Sequence, residues 1–176
     1  MEIKHNTLKV ALEKAQGLAY EAALKLMQHM DNHVSVEVDD YIVHVVSEKA
    51  EGTYQLAGGG LKWHVPEATY NTHMEVVVQD KHDLRFIPEL KIKANVLKDG
   101  QLVEERDFPF FWHPFLNHYG SNFHIEEAGE YEVEVHIPAP SFPRHDEVKG
   151  KRYVKDVIVK VGPLKLEKGR KPHGPE

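Results

Sequence analysis

The sequence has no cysteine among its 176 residues. Disulfide bonds, zinc–thiolate sites and thiol catalysis are therefore excluded. Because disulfides are the main sequence sign of an oxidising compartment, their absence leaves the compartment undecided.

Long apolar runs are absent too. No stretch reaches the roughly 18 consecutive apolar residues that a membrane-spanning helix requires. In the first thirty residues, charged side chains interrupt every apolar run, namely Glu13, Lys14, Glu21 and Lys25. We therefore predict no secretory signal there, which is typical of a cytoplasmic protein or of a mature form.

The sequence also lacks the pattern of a basic surface. The formal net charge is −6, and the lysines and arginines form no continuous stripe, so we expect no nucleic-acid partner. Apolar residues make up 41% of the chain and charged residues 28%. These values are typical of a globular protein with one core.

Histidine is the residue present in excess. The chain contains thirteen, against about four expected from average usage. Histidine is the commonest metal ligand in proteins and the usual proton-transfer group near neutral pH. The excess directs attention to metal binding without proving it.

An amphipathic helix is predicted near the N-terminus, beginning after Asn6 or Thr7 and ending near Asp31. Apolar residues recur in this segment at steps of three and four, namely Leu8, Ala11, Leu12, Ala15, Ala19, Ala22, Leu26 and Met30. We expect this apolar face to pack on the main domain or on a partner.

The rest of the chain has the period-two pattern of β-strands. Strands are predicted near 41–46, 61–65, 73–78, 87–97, 102–108, 130–137 and 154–161, with a tight turn at Lys98-Asp99-Gly100. We therefore predict an all-β fold, an immunoglobulin-like β-sandwich with an added N-terminal amphipathic helix. The predicted boundaries are 1–33 for the helical appendage, 34–163 for the sandwich and 164–176 for a disordered tail.

The predicted strand around residue 75 carries the first candidate ligands. On a strand, side chains two apart share a face, so His73 and Glu75 can converge on one cation. Met74 points to the opposite face, where we expect it to fill the core. A His-x-Glu pair is a weak signal by itself.

Two irregular segments carry the other candidates. His118 follows an aromatic stretch at 108–115, which could also simply close one end of a sandwich, and His145 lies in a proline-rich loop. Irregular segments are where binding residues collect. We interpret most of the remaining histidines as solvated side chains, while His44 is ambiguous and His113 is of interest because it lies five residues before His118.

Taken together and in this order, these segments resemble the P19/FetP/Tp34-like family of periplasmic iron-transport-associated proteins. The resemblance runs from about residue 36 to residue 161. It rests on the following motifs: His73-x-Glu75, Ile87-Pro88-x-Leu90, His118-Tyr119-Gly120-x-Asn122, Gly129-x-Tyr131-x-Val133 and Arg144-His145. No single motif is specific, whereas the ordered set is fairly specific.

The resemblance implies an immunoglobulin-like sandwich that is usually a homodimer and binds copper and ferrous iron, with manganese or zinc as surrogates. It also implies a place outside the cytoplasmic membrane, beside an iron permease. The ligands that it implies here are His73, Glu75, His118 and His145.

The sequence departs from the family pattern at one ligand. The family's copper site also uses a methionine about seven residues before the His-Tyr-Gly histidine, and this chain has Phe110-Phe111-Trp112 there. Thioether favours cuprous copper, while imidazole and carboxylate suit Cu(II), zinc, iron and nickel. We therefore expect weaker selectivity for copper, with His113 as a possible extra ligand.

Three functions remain open from the sequence. The first is a metal-binding accessory protein of iron transport without turnover. The second is a structural or interaction sandwich whose histidines bind no functional metal, because this type of fold is widely reused. The third is a metal-dependent enzyme, which would need an open coordination position and a substrate cleft.

Overall fold

The structure is a computed structural model and describes residues 2–28 and 32–172, with side chains omitted for 2–6, 27 and 28. One long helix precedes a series of antiparallel strands. The elements are α1 (Glu2–Gln28), β1 (Asn32–Val38), β2 (Tyr41–Glu48), β3 (Thr53–Ala57), β4 (Gly60–His64), β5 (Thr72–Asp80), β6 (Ile92–Lys98), β7 (Gln101–Phe108), β8 (Phe110–Phe111), β9 (His118–Phe123), β10 (Gly129–Ile137) and β11 (Val157–Leu166), with a short 3₁₀ helix at Lys149–Lys151. No described helix combines the length and the apolar character needed to cross a membrane.

The strands form two main sheets and a separate hairpin. The larger sheet has the order β1-β2-β5-β9-β8, the second has the order β11-β10-β6-β7, and β3 pairs only with β4. All pairings between these strands are antiparallel. The predicted hairpin around Asp99-Gly100 is confirmed as β6–β7, whose turn holds Asp99 at a φ of 51° and Gly100 at 76°.

One hydrophobic core lies between the two main sheets. It combines inward side chains of both, including Val43, Val76 and Tyr119 from the larger sheet and Val96 and Val133 from the second. Met74 belongs to this core and is fully buried, which confirms the prediction that it points away from the candidate ligands. The fold is therefore all-β apart from α1.

The helix packs on the outer face of the larger sheet, but not through the predicted apolar face. Leu24 contacts Val77 and Leu116, Tyr20 donates a hydrogen bond to the carbonyl of Asn117, and Gly17 lies against the backbone of Asp83. The described members of the predicted apolar face are all exposed, namely Leu8, Ala11, Leu12, Ala15, Ala19, Ala22 and Leu26. The alternative of packing on the main domain is therefore wrong for this face.

The element boundaries differ from the predicted ones at both ends. The helix begins at Glu2, before the predicted cap, and β1 begins at Asn32. At the other end β11 continues to Leu166, and Ala50 exchanges backbone hydrogen bonds with Gly169 and Lys171. Residues 164–172 are thus paired with the domain, unlike the disordered tail that their composition predicted. Residues 173–176 lie outside the described part of the chain.

Candidate metal centre

His73 and Glu75 lie on β5, the middle strand of the larger sheet. β5 is buried at all nine positions, because its even-numbered side chains face the core and its odd-numbered side chains face the covered outer surface. His73 and Glu75 share that outer surface with Val77, which packs against α1. The rule that side chains two apart on a strand share a face holds here.

His118 reaches the same surface from the neighbouring strand. β9 pairs with β5 in a register that sets Gly120 opposite Glu75 and Asn122 opposite His73. His118, Gly120 and Asn122 share the outer face of β9, while Tyr119 points into the core and donates a hydrogen bond to the carbonyl of Ile87. The pairing of β5 with β9 thus unites ligands that are far apart in sequence.

The three side chains form one compact cluster of donor atoms. One ligand atom each from His73, Glu75 and His118 lies within 4.8 Å of the others. Nε2 of His118 is 3.3 Å from Oε1 of Glu75. The residues are 0%, 4% and 3% exposed, in that order, so a bound ion would be largely screened from solvent.

Hydrogen bonds at the other ring nitrogens orient both imidazoles. Nδ1 of His118 lies 3.0 Å from the carbonyl oxygen of Leu116, which can only accept, so the proton of the neutral ring is on Nδ1. Nδ1 of His73 lies 3.1 Å from Oδ1 of Asn122, which favours the same tautomer. Each Nε2 therefore presents its lone pair to the cluster. Metal-binding histidines are commonly held in this way.

Burial keeps His118 in the form that binds metal. Desolvation lowers the pKa of His118 from 6.5 to about 4, and the hydrogen bond to Leu116 offsets part of that shift. Its imidazole is therefore neutral at neutral pH, and a metal ion does not have to displace a proton from it.

Two carboxylates, those of Glu48 and Glu51, border the cluster together with the ammonium group of Lys171. We call these three residues the acidic rim. Oε1 of Glu51 is 3.3 Å from Nε2 of His73. Lys171 forms ion pairs with Glu48 and, at 3.0 Å, with Oε2 of Glu51. Oxygens of Glu48, Glu51 and Glu75 also lie within 4.8 Å of one another. The negative charge of this rim favours a cation at the cluster.

Two residues fix the space around the imidazoles. The ring of Phe111 stacks on His118 with centroids 5.5 Å apart and meets His73 edge-on at 5.8 Å. A Cβ atom at Gly120 would lie 3.0 Å from Nε2 of His73. Phe111 thus occupies the place from which the family's methionine is expected to act, and a side chain at residue 120 would crowd the ring of His73.

The structure does not bring the other sequence candidates to this cluster. His145 is exposed in a loop whose neighbour Lys149 pairs with Glu13 of α1. That loop precedes Arg152, which binds Asp80 at the opposite end of β5, about 23 Å along the strand from His73. No described group of three candidate ligands includes His145.

His113 is close but poorly oriented for binding. Its Nδ1 accepts hydrogen bonds from the backbone N–H groups of Phe115 and Leu116, at 3.4 and 3.3 Å. The proton of the neutral ring is therefore on Nε2, which leaves neither nitrogen available to a metal in this conformation. The hypothesis that His113 replaces the missing methionine loses its support.

Sequence reasoning assigned no role to the residues that support the ligands, although Asn122 belongs to the motif that begins at His118. Asn122 accepts a hydrogen bond from the backbone N–H of Glu51 and donates one to its carbonyl, so it links His73 to the acidic rim. Glu48 lies opposite His73 across the β2–β5 pair. Only the strand register could have revealed Glu48, and nothing in the sequence signals Glu51.

Comparison with known proteins decides the family. The sequence model of the family described as "Fe2+ transport protein" matches residues 62–152, more than half of the chain. The chain belongs to this family. That match includes His73, Glu75, His118 and His145. No curated protein sequence matches the chain.

Solved structures share the fold of this Fe2+ transport family member. FetP of uropathogenic Escherichia coli strain F11, expressed recombinantly in the periplasm of E. coli, is 22% identical, with 78% of this chain and 95% of FetP covered and a TM-score of 0.61. Copper-reconstituted P19 of Campylobacter jejuni is 16% identical, with 80% and 99% covered and a TM-score of 0.62. At these identities the likeness concerns the fold.

Proposed function

We propose that this protein binds a transition-metal ion, copper or ferrous iron, through His73, Glu75 and His118 and acts as an accessory protein of iron transport. The observation that carries the proposal is the buried convergence of two imidazoles and a carboxylate, with both Nε2 lone pairs directed into the cluster. Membership of an Fe2+ transport family connects this metal binding to iron transport.

The donor set suits several ions of the first transition series. Imidazole binds copper, iron, zinc and nickel, and carboxylate adds affinity for the harder ions among them, including manganese. Manganese and zinc would therefore bind as surrogates. Copper is bound by P19 and by a FetP variant, which supports copper as the first ion to test.

We still propose His145 as a fourth donor, but as one that a second copy of the chain supplies. Because its loop lies near the far end of β5 from His73, it could complete the site only from a second copy of the chain. A His145→Ala variant that keeps the full metal affinity would remove it from the ligand set.

The proposal also covers the compartment, the oligomeric state and the partner of the protein. We place the protein outside the cytoplasmic membrane, as a homodimer with an immunoglobulin-like sandwich, beside an iron permease or another membrane transport partner. We propose no turnover, since binding and handing on an ion requires no catalytic group.

Metal content provides the test. Untagged protein is loaded with Cu(II) or, without oxygen, with Fe(II), and metal per chain is measured after removal of excess ion. The wild type is expected to retain one ion, while a His73→Ala and His118→Ala double variant is expected to retain none. Circular dichroism of the two apo proteins should coincide.

A second strand pair provides a matched control. Glu134 and His136 are also two apart on a strand, with Nε2 of His136 2.7 Å from Oε1 of Glu134, but without a third ligand among the described groups. A Glu134→Ala and His136→Ala variant should retain the ion. Equal metal content in all three proteins would favour the interaction sandwich, and turnover that follows metal occupancy would favour an enzyme.

A further inference from the structure

The side chain of Lys171 reaches the border of the candidate metal centre. Its ammonium group forms ion pairs with Glu48 and, at 3.0 Å, with Oε2 of Glu51. The other oxygen of Glu51 is 3.3 Å from Nε2 of His73. A single carboxylate therefore separates the ammonium group from a ligand atom, and a positive charge that belongs to the chain lies beside the position proposed for the ion.

Backbone hydrogen bonds hold the segment that carries Lys171. Gly169 donates a hydrogen bond to the carbonyl of Asn71 and accepts one from the N–H of Ala50. The N–H of Lys171 donates to the carbonyl of Ala50, and the guanidinium group of Arg170 donates to two further backbone carbonyls. These bonds do not involve the side chain of Lys171, so its replacement should leave the segment in place.

The charges around the centre balance a divalent ion when Lys171 is counted. Oxygens of Glu48, Glu51 and Glu75 lie within 4.8 Å of one another. Metal ligation requires ionised carboxylates, and three of these with one ammonium group leave two negative charges. Without the lysine, the metal-free protein would hold three like charges in a largely buried space, where their repulsion is only partly screened.

We propose that the ammonium group of Lys171 is a built-in counter-ion that competes with the metal ion for the carboxylates of Glu48 and Glu51. This inference rests on the proposed function. In the metal-free protein Lys171 offsets the repulsion among the carboxylates, whereas a bound ion and the ammonium group repel each other. Lys171 therefore stabilises the metal-free protein and lowers the affinity for the ion, which favours release. All three residues lie outside residues 62–152, the part that matches the family.

The charge of the ion determines how strongly Lys171 acts on it. The Coulomb energy between two charges is proportional to each of them, so the repulsion is twice as large for Cu(II) or Fe(II) as for Cu(I). Lys171 thus shifts the selectivity of the centre towards the monovalent ion. Replacing a residue that only supported the fold would weaken the binding of every ion, whatever its charge.

Affinities for the two oxidation states of copper test the inference. Untagged apo protein is titrated with Cu(II) and, without oxygen, with Cu(I), in competition with a chromophoric chelator. Lys171→Met and Lys171→Gln both remove the charge. Each should raise the affinity for Cu(II) by about tenfold and that for Cu(I) by about threefold, the square root of that factor. Lys171→Arg, which restores the charge, should return both affinities towards the wild-type values.

A neighbouring lysine provides the matched control. Lys168 lies in the same segment, but its ammonium group donates a hydrogen bond to the carbonyl of Glu126 instead. Lys168→Met removes the same charge from the chain and should leave both copper affinities unchanged. An increase equal to that of Lys171→Met would assign the effect to net charge and overturn the inference.

Urea denaturation supplies a second measurement. Without metal, Lys171→Met should be less stable than the wild type, and saturating Cu(II) should stabilise it more than it stabilises the wild type. A Cu(II) affinity of Lys171→Met that equals or falls below that of the wild type, or an equal gain for both ions, overturns this inference alone. A wild type that binds neither ion refutes the proposed function and the inference with it.

Discussion

Gly120 shows how a single residue defines the candidate metal centre. It lies on β9 directly opposite Glu75, and any side chain there would meet His73. The sequence motif His-Tyr-Gly indicated this segment, but the reason for its glycine is the space taken by an imidazole on the neighbouring strand.

Replacing Gly120 by alanine should weaken metal binding. The new Cβ would lie 3.0 Å from Nε2 and 3.1 Å from Cε1 of His73, so the ring must shift by a few tenths of an ångström relative to Glu75 and His118. We expect the affinity for Cu(II) to fall by about 10- to 100-fold, as for other changes that reorient a ligand. Competition titration against a chromophoric chelator measures it. Gly60→Ala, where no atom lies within 4 Å of the new Cβ, is the control.

Phe111 is a second single residue whose replacement should change metal binding, in this case by increasing the affinity for Cu(I). Its ring contacts both His73 and His118, so a methionine there can direct its sulfur to the ion. Thioether favours cuprous copper, and we expect Phe111→Met to raise Cu(I) affinity about tenfold or more, which is about 1.4 kcal/mol.

The adjacent residue supplies the comparison for that substitution. Phe110 packs against Phe86 and Tyr119 instead, so Phe110→Met should leave Cu(I) affinity unchanged. An equal effect of the two substitutions, or no effect of either, would mean that residue 111 does not supply a ligand from that position.

At the scale of elements, α1 is confirmed as a helix, and of the two alternatives for its apolar face, packing on the main domain is wrong. Hydrophobic periodicity identifies an apolar face but not which surface covers it. The side that meets the domain carries a glycine, a tyrosine and a single buried leucine, a combination that no periodic rule selects. A glycine within a helix was the one available signal, since it usually has a packing reason.

Gly17→Ala should therefore destabilise the protein although alanine favours helices by about 1 kcal/mol. A Cβ at residue 17 would lie 1.6 Å from the carbonyl oxygen of Asp83, so the helix must move off the sheet. We expect a loss of about 1 to 3 kcal/mol in the free energy of unfolding, the usual cost of overpacking. Urea denaturation checks this. Gln16→Ala, at an exposed neighbour, should be neutral or stabilising.

At the scale of the whole molecule, strand periodicity predicted most strands but not their order. His73 and His118 are close because β5 and β9 are neighbours, and no local pattern encodes that pairing. The same topology separates His145, since its loop lies near the Asp80 end of β5. Composition also misled at the C-terminus. It predicted a disordered tail, whereas this segment, rich in glycine and charged residues, forms backbone hydrogen bonds with Ala50.

A buried histidine away from the metal centre, His44, links stability to pH. Nε2 of His44 is 2.8 Å from Oε1 of Gln79, and Nδ1 is 3.0 Å from Nε2 of His33. Burial lowers the pKa of His44 from 6.5 to about 4, so the unfolded chain binds its proton more readily than the native protein. The stabilisation is complete above pH 6.5 and is lost as the pH falls towards 4.

We expect that linkage to reduce the free energy of unfolding by up to about 3 kcal/mol between pH 6.5 and 4. Chemical denaturation of apo protein at several pH values measures the slope. His44→Gln should lower stability at pH 7 but flatten the slope. His124→Gln should not flatten it, because hydrogen bonds to the carbonyl of Thr69 and to Glu126 raise the pKa of this half-exposed histidine. A slope in His44→Gln as steep as that of the wild type would contradict the assignment.

The complete burial of β5 has a consequence for ion exchange. His73 and Glu75 are fixed to a strand with hydrogen-bonded neighbours on both sides, and such strands open only when much of the protein unfolds. His118 begins its strand, where it pairs with Phe111 of the two-residue β8 and lies beyond the last residue pair between β5 and β9, so we expect it to move at smaller cost. An arriving or departing ion would then exchange ligands on the His118 side first, so that the 112–117 loop governs the rate of ion exchange while the sheet sets the equilibrium affinity.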